Sequence, residues 1–293
     1  MVIVLSLDRF ANLANSISNK LKVDFIQLES KIFPDEESYL RIPESIKDEK
    51  IVIIHSCFPQ QDKRLIELFM ILDTAIDLGA KEIISVIPYL AYARQDKRFR
   101  DGETNGVNTI AKLIRLCGTN TFITVNIHEE SSLDLFNMRS INLSAMPELG
   151  RYIKELDLKN PIVVAPDKGA LGDAKEVAKV MKTDYTFFDK TRDLKTGEVA
   201  VDSKEADVGG RDVVIVDDIL STGGTIAKVA KIVKNQGAEK VLAACTHALL
   251  IKDSRDKLQN AGVNEIIGTD TVECDASRVS VANIIVDALR TLI

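Results

Sequence analysis

The sequence predicts an α/β protein built from two copies of one unit, each with a mostly parallel central sheet flanked by helices. Three observations predict it. Short apolar, β-branched runs recur along all 293 residues, separated by stretches with helical spacing of apolar residues. The runs are apolar at successive positions, as in strands buried on both faces of a parallel sheet. The two halves share a rhythm. Ile51-Val-Ile-Ile-His-Ser parallels Pro161-Ile-Val-Val-Ala-Pro, Ile83-Ile-Ser-Val-Ile-Pro parallels Val213-Val-Ile-Val-Asp-Asp, and Phe122-Ile-Thr-Val-Asn-Ile-His parallels Val241-Leu-Ala-Ala-Cys-Thr-His. Leu78-Gly-Ala-Lys-Glu-Ile also matches Gln236-Gly-Ala-Glu-Lys-Val.

Taken in order, the first half predicts strands near 2–5, 23–28, 51–54, 83–87 and 122–127, with helices over 8–20, 62–78 and 107–116. The second half predicts strands near 162–165, 184–188, 213–216, 241–244 and 265–267. Its helices are expected at 147–156, 173–181, 225–236, 253–261 and 277–291. The predicted domains are 1–143 and 144–293, with the last helix free to pack back on the first domain. Right-handed crossovers place ligand sites beyond the carboxyl ends of the strands.

Composition narrows the function classes. A net charge of −6 argues against a dedicated nucleic-acid binder, and the absence of Trp argues against broad base-stacking surfaces. Cys57, Cys117, Cys245 and Cys274 form no C-x-x-C pair, so a structural zinc site is not expected and a reducing compartment is. No apolar run approaches membrane-spanning length, and Val2 to Leu5 is too short for a signal segment. The expectation is a cytoplasmic protein with neither a membrane nor a nucleic-acid partner.

Residues 213–226 are the most informative stretch. Val213-Val-Ile-Val ends in Asp217-Asp218, then Ser221-Thr-Gly-Gly-Thr225, then a helical pattern from Ile226. Gly223 and Gly224 let the backbone approach a phosphate and turn N–H groups toward it. Ser221, Thr222 and Thr225 add hydroxyl donors. The carboxylate pair suits sugar hydroxyls or a metal, so the ligand expected has phosphate at one end and a diol at the other. No Gly-Lys-Ser/Thr follows, so this is not a Walker loop. The loop resembles the sugar-phosphate loop of type I phosphoribosyltransferases. That resemblance implies two duplicated domains of that type.

A second cluster follows the strand at 83–87. Arg94, Lys97, Arg98 and Arg100 concentrate four cations in seven residues, with Asp101-Gly102 as a turn. Arginine's planar fork suits phosphate oxygens, and a polar, glycine-bearing loop suits closure over a polyphosphate.

Here the resemblance sharpens. Tyr92-Ala-Arg-Gln-Asp-Lys is similar to the ATP-binding segment of ribose-phosphate diphosphokinases, the phosphoribosyl pyrophosphate synthetases. Four further pieces agree in order. Phe33-Pro-Asp-Glu-Glu resembles their adenine-binding loop, which in the family reaches a neighbouring subunit's active site. Asn126-Ile-His128 resembles their Asp-Leu-His element, Ala165-Pro-Asp-Lys-Gly their ribose-phosphate element, and Asp189-Lys-Thr-Arg192 their catalytic Lys-x-Arg. Departures are Asn126 where an Asp is usual, Gly169-Ala170 for a Gly-Gly pair, and Glu103-Thr-Asn-Gly in the mobile loop. The Lys168-Gly-Ala pattern looks closer to archaeal members.

The resemblance implies transfer of the diphosphoryl group of ATP to the C1 hydroxyl of ribose 5-phosphate for nucleotide biosynthesis, with Mg²⁺. It implies catalytic roles for Lys190 and Arg192. It implies ATP contacts from Phe33, Asp35, Glu37, Arg94, Gln95, Asp96 and His128. Ribose 5-phosphate falls to Asp167, Asp217, Asp218, Ser221, Thr222, Gly223, Gly224 and Thr225, and metal ligation to His128 and Asp167. It also implies a homo-oligomer, at least a dimer. Taken alone, His128 reads as structural, and Lys190 and Arg192 as surface cations. Two rivals stay open: a phosphoribosyltransferase, which would consume the pyrophosphate compound, and a regulatory relative that has lost the chemistry.

Overall fold

The computed structural model describes residues 1–192, 199–202 and 207–293, with side chains for 1–188 and 207–293. It divides into two compact units, Met1–Ser144 with Ser280–Ile293, and Ala145–Val279.

In the first unit, β1 (Val2–Leu7) is buried along five of its six residues. A 3-10 turn over Asp8–Phe10 leads into α1 (Ala11–Leu21), which buries Leu13, Ala14 and Ile17 on one face and ends at Lys22 with φ 59. Then come β2 (Asp24–Ile32), β3 (Ser38–Arg41), β4 (Lys50–Ile54), α2 (Gln61–Asp77), β5 (Glu82–Ile87), α3 (Gly106–Leu116), β6 (Thr121–Val125) and β7 (Arg139–Leu143). The sheet order is β3-β2-β1-β4-β5-β6-β7, parallel except for the β2–β3 hairpin. Residues 24–28 of β2 pair with β1, while Glu29–Ile32 pair only with β3. The hairpin therefore overhangs the carboxyl edge of the sheet by four residues, roughly 13 Å at a strand's rise.

The second unit contains α4 (Met146–Lys154), β8 (Ile162–Ala165), α5 (Leu171–Met181), β9 (Asp184–Phe187), β10 (Asp189–Arg192), β11 (Val199–Asp202), β12 (Val213–Leu220), α6 (Gly224–Asn235), β13 (Val241–Ala248), α7 (Ser254–Asn260), β14 (Glu265–Thr269) and β15 (Ser277–Val279). Six strands form a parallel sheet in the order β15-β14-β13-β12-β8-β9, and β10 pairs antiparallel with β11. On β12, Val213 and Ile215 enter one core and Val214 and Val216 the other. This two-sided burial explains the unbroken apolar run. The last helix, α8 (Ala282–Arg290), belongs to the first unit, packs on α1 and buries Ile285, Val286 and Leu289. Lys50 Nζ donates to the Leu292 carbonyl at 2.8 Å.

Several elements differ from the sequence expectation. β3 and β7 were not expected, because they are half-buried and show no continuous apolar run. The helix expected over 277–291 starts at Ala282. Ser277 and Val279 instead pair with Gly268 and Thr269 of β14, and Ser280 Oγ accepts from the Ala282 N–H at 3.2 Å. β12 and β13 each run four residues past their expected ends at 216 and 244, paired through Asp217–Cys245 and Ile219–His247. Asp217 and Asp218 thus lie inside a strand rather than after it, because ladder pairing uses the backbone and tolerates polar side chains.

The duplication is present in a different register. The order β2-β1-β4-β5-β6-β7 matches β9-β8-β12-β13-β14-β15, connection by connection. Ile51 therefore corresponds to the strand at Val213, and Ile83 to the strand at Val241, one strand away from the sequence pairing. The helix-end match of residues 78–83 with 236–241 is in the correct register. Fine details repeat with it. Asn120 Oδ1 accepts from the Ile83 N–H at 2.8 Å, and Asn264 Oδ1 from the Val241 N–H at 2.8 Å. Lys22 and Lys182 end equivalent helices, both with φ 59. Buried Val/Ile runs align with one another in any pairing, so strands alone could not set this register. Among the described residues, no helix is long and apolar enough to cross a membrane.

Candidate active site

In the second unit the site grows from the end of β12. The chain leaves Leu220, makes a short loop and enters α6 through Gly223, which caps the helix at φ 69. A Cβ at Gly223 would meet Leu258 Cγ at 3.1 Å, so both backbone conformation and space require glycine. Gly224 is different: an added Cβ would meet nothing nearer than Thr222 Oγ1 at 3.9 Å. The first helical bond runs from the Ala227 N–H to the Gly223 carbonyl at 2.8 Å. The N–H groups of Gly224, Thr225 and Ile226 precede it and have no intrahelical partner. No acidic residue stands in the first turn of α6. A phosphate fits this helix end through N–H donors and the helix dipole. Neighbouring segments frame the loop. The Leu249 and Leu250 N–H groups donate to the Leu220 carbonyl at 3.0 and 3.1 Å, and Lys257 Nζ donates to the Thr222 carbonyl at 3.1 Å.

The carboxylates stand beside this cradle. Asp217 is half-buried, and its carboxyl is held well above the usual carboxylate range by burial, then by the charge of Asp218 and a hydrogen bond to it, and by Asp167. Asp218 Oδ1 accepts from the Ile219 N–H at 2.7 Å. Asp167 Oδ1 accepts from the Gly169 and Ala170 N–H groups at 3.0 and 3.4 Å, closing the turn after β8. Asp173, in the first turn of α5, was missed in the sequence. Burial and the charges of Asp218 and Glu176 push its carboxyl up to about 7. The available signal was its place in the first turn of the helix that follows the Asp167 turn. Such an arrangement of acids is eased by a ligand bringing hydroxyl donors or a cation.

Lys190 and Arg192 lie on β10, in antiparallel register with Val201 and Val199. Their side chains lie outside the described residues. In the duplicated plan, β9, β10 and β11 hold the place that β2 and β3 hold in the first unit.

In the first unit, β5 and β6 are parallel neighbours, so the segments after them leave the same edge of the sheet. Arg94 and Gln95 are exposed and Asp96 is half-buried. Asn105 Nδ2 donates to the Asp96 carbonyl at 2.7 Å, and Asn105 Oδ1 caps α3 by accepting from the Asn108 N–H at 3.0 Å. Lys97 Nζ lies 3.4 Å from the Asp96 carboxylate and 3.3 Å from that of Glu129, next to the exposed His128. Arg94, Gln95, Asp96 and His128 therefore stand on two adjoining segments. Asn126 is buried at φ 40, a conformation Asn tolerates well, and its N–H donates to the Leu143 carbonyl at 2.8 Å.

Phe33, Asp35 and Glu37 are exposed at the tip of the β2–β3 hairpin. Phe33 makes a T-shaped contact with Tyr39 at 6.0 Å, and Lys31 Nζ lies 4.8 Å from the Phe33 ring centroid. Strands β1 and β4 separate β2 from β5. Three inter-strand steps, roughly 14 Å, lie between the two strands.

The metal expectation rests on His128 and Asp167. Among the described residues no group of three or more His, Cys, Asp or Glu side chains is arranged to hold a metal ion. Mg²⁺ is usually held by one or two carboxylates plus phosphate oxygens and waters, without an all-protein cage. Asp167, with one oxygen fixed by two N–H groups, fits that use.

The profile for the N-terminal domain of ribose phosphate pyrophosphokinase matches residues 2–118, and that for the phosphoribosyl transferase domain matches 146–276. The ribose-phosphate pyrophosphokinase of Methanosarcina acetivorans is 42% identical over 280 residues, covering 96% of each chain. That of Saccharolobus solfataricus is 41% identical over 258 residues, covering 88% of each. The chain belongs to the ribose-phosphate pyrophosphokinase family. The crystal structure of phosphoribosylpyrophosphate synthetase from Mycobacterium smegmatis superposes with a TM-score of 0.87 at 26% identity, covering 99% of this chain and 98% of that one. Membership in this family, with a phosphoribosyl transferase fold in the second unit and its strand order repeated in the first, accords with the fold expected from the sequence.

Proposed function

We propose that the second unit binds ribose 5-phosphate and the first unit binds ATP. The chain is an enzyme of nucleotide biosynthesis, and its reaction is diphosphoryl transfer. The C1 hydroxyl oxygen of ribose 5-phosphate attacks the β-phosphorus of ATP. The bond from that phosphorus to the α,β-bridging oxygen breaks, AMP leaves, and 5-phosphoribosyl 1-diphosphate forms. The observation behind the assignment of the sugar phosphate is the Gly223 cradle at the start of α6, with Asp217 and Asp218 beside it.

The cradle from Ser221 to Thr225 holds the 5-phosphate, and Asp217 and Asp218 accept hydrogen bonds from the ribose hydroxyls. Arg94, Gln95 and Asp96 bind ATP with His128, while Lys190 and Arg192 offset the negative charge that builds around the β-phosphorus. Mg²⁺, when bound, would neutralise phosphate oxygens, with Asp167 as a ligand in the second unit and His128 as a ligand in the first, each within its own unit. The overhang of the β2–β3 hairpin and its exposed tip support a homo-oligomer in which Phe33, Asp35 and Glu37 serve the nucleotide of another copy. We take the enzyme as cytoplasmic, with no nucleic-acid partner, in line with its net charge of −6.

AMP release from ATP and ribose 5-phosphate, with no nitrogenous base added, tests the reading. Diphosphate release that needs a base, with no AMP formed, would overturn it. Lys190→Ala is expected to lower turnover at least ~100-fold, the usual effect of removing a transition-state charge. Near-normal turnover in that variant would remove Lys190 from the mechanism.

A further inference from the structure

Tyr92 is a bulky residue with a left-handed backbone, φ 65, two positions before Arg94. Three contacts hold it there. Its carbonyl accepts from the Gln95 N–H at 2.9 Å. Its phenol donates to Asp62 Oδ1, in the first turn of α2. Its ring packs against the start of α3, where a Cβ on Gly106 would come within 2.9 Å of Tyr92 Cδ1 and 2.8 Å of Gln95 Oε1. Only glycine at position 106 leaves room for both side chains.

The duplicated unit supplies a control. After β13, Leu250 occupies the equivalent place and is also left-handed, φ 47. There the turn is tied to the neighbouring loop by backbone bonds, from Leu249 and Leu250 to Leu220 and from the Ile251 N–H to the Ser221 carbonyl at 3.3 Å. In the first unit the neighbouring loop precedes α2, and the Cys57 N–H donates to the Tyr89 carbonyl at 3.0 Å. Further along, at the turn itself, a side-chain bond from Tyr92 to Asp62 makes the tie.

We propose that Asp62 and Tyr92 are positioning residues for the nucleotide. Their phenol–carboxylate bond latches the left-handed turn from which Arg94, Gln95 and Asp96 are presented. The proposal rests on the assignment of that segment to ATP. Neither residue touches the nucleotide; each acts through the backbone that aims Arg94 and Gln95. A misaimed segment weakens capture of ATP and leaves the sugar-phosphate cradle as it was.

Steady-state kinetics with both substrates tests it. Tyr92→Phe and Asp62→Ala are each expected to raise KM for ATP about tenfold, as for one lost charge-assisted hydrogen bond. KM for ribose 5-phosphate stays unchanged. Asp62→Asn keeps an acceptor oxygen and restores KM for ATP toward the parent value. The pair Tyr92→Phe with Asp62→Ala is no worse than either alone, because both remove one bond. Amide hydrogen exchange at Gln95 quickens in Tyr92→Phe. An unchanged KM for ATP in Tyr92→Phe, while Arg94→Ala raises it, would overturn the latch alone. If Arg94→Ala leaves KM for ATP unchanged, the ATP assignment of the segment falls and the latch falls with it. Unchanged exchange at Gln95 also counts against the latch.

Discussion

At Gly223 the backbone stands at φ 69, and any side chain would press on Leu258. Gly223→Ala is therefore expected to cost about 1–2 kcal/mol through backbone strain, and to raise KM for ribose 5-phosphate more than KM for ATP. Denaturant melts and two-substrate kinetics check both. Gly224→Ala meets no such obstacle in the protein, so a comparable rise in its KM would report contact with the ligand. Asp173 gives a pH prediction. Its carboxyl is pushed up to about 7 in the folded chain, above an unfolded value of about 3.9. The folded state then holds the proton more tightly. The resulting stabilisation is complete below about pH 4 and is lost as pH rises through 7. Asp173→Asn is expected to gain on the parent between pH 4 and 8, by on the order of 2 kcal/mol, in melts across that range. His55 runs the other way: burial pushes it down to about 3, so the folded state loses ground as pH falls below about 6.5. Neither residue was legible in the sequence. Their shifts come from what the fold packs around them, and no motif encodes burial.

Among the elements, the turn at Asn264 and its twin at Asn120 each return a side-chain oxygen to the strand that precedes their helix. Asn264→Ala is expected to destabilise the second unit by about 1–2 kcal/mol, and Asn120→Ala the first by a similar amount, in denaturant melts. The strands most legible in the sequence were those buried on both faces, such as residues 51–54 and 213–216, where every position is apolar. β3 was missed because its hairpin leaves it half-exposed, and β15 because three residues of edge strand carry too little pattern. The Ser221–Thr225 loop was legible because its chemistry is local. The separation of β2 from β5 by two strands was not, since strand order is a long-range property. That separation sets a complementation test for the hairpin. Phe33→Ala and Arg94→Ala each impair ATP use, and a mixture of the two variants, allowed to exchange subunits, is expected to regain activity. A mixture no better than its parts would place the hairpin over its own chain's nucleotide.

For the whole molecule, duplication gives both units one strand order. The equivalent of the phosphate loop in the first unit holds His55-Ser56 in place of Asp217-Asp218, and the buried Arg64 fills its far end by donating to the Pro59 carbonyl at 3.1 Å and to Gln60 Oε1 at 3.0 Å. The first copy has thus closed the cradle that the second keeps, and the segments proposed for the nucleotide lie one strand further along, after β5 and β6. The sequence repeat was visible, but its register required Asn120, Asn264 and the helix ends rather than the strands. Truncation after Val279 is expected to strip hydrogen-exchange protection from α1 and β1 and to leave β12 and β13 protected, since α8 packs on α1 and Lys50 holds the Leu292 carbonyl.

That returning helix has a consequence at the ribosome. A domain ordinarily completes its fold once its own residues have emerged, first domain first. Here the earlier-made portion lacks the helix that packs on α1 until residues 280–293 follow. Residues 145–279 precede that helix out of the ribosome, so the nascent chain keeps one face of α1 uncovered while the later-made portion emerges.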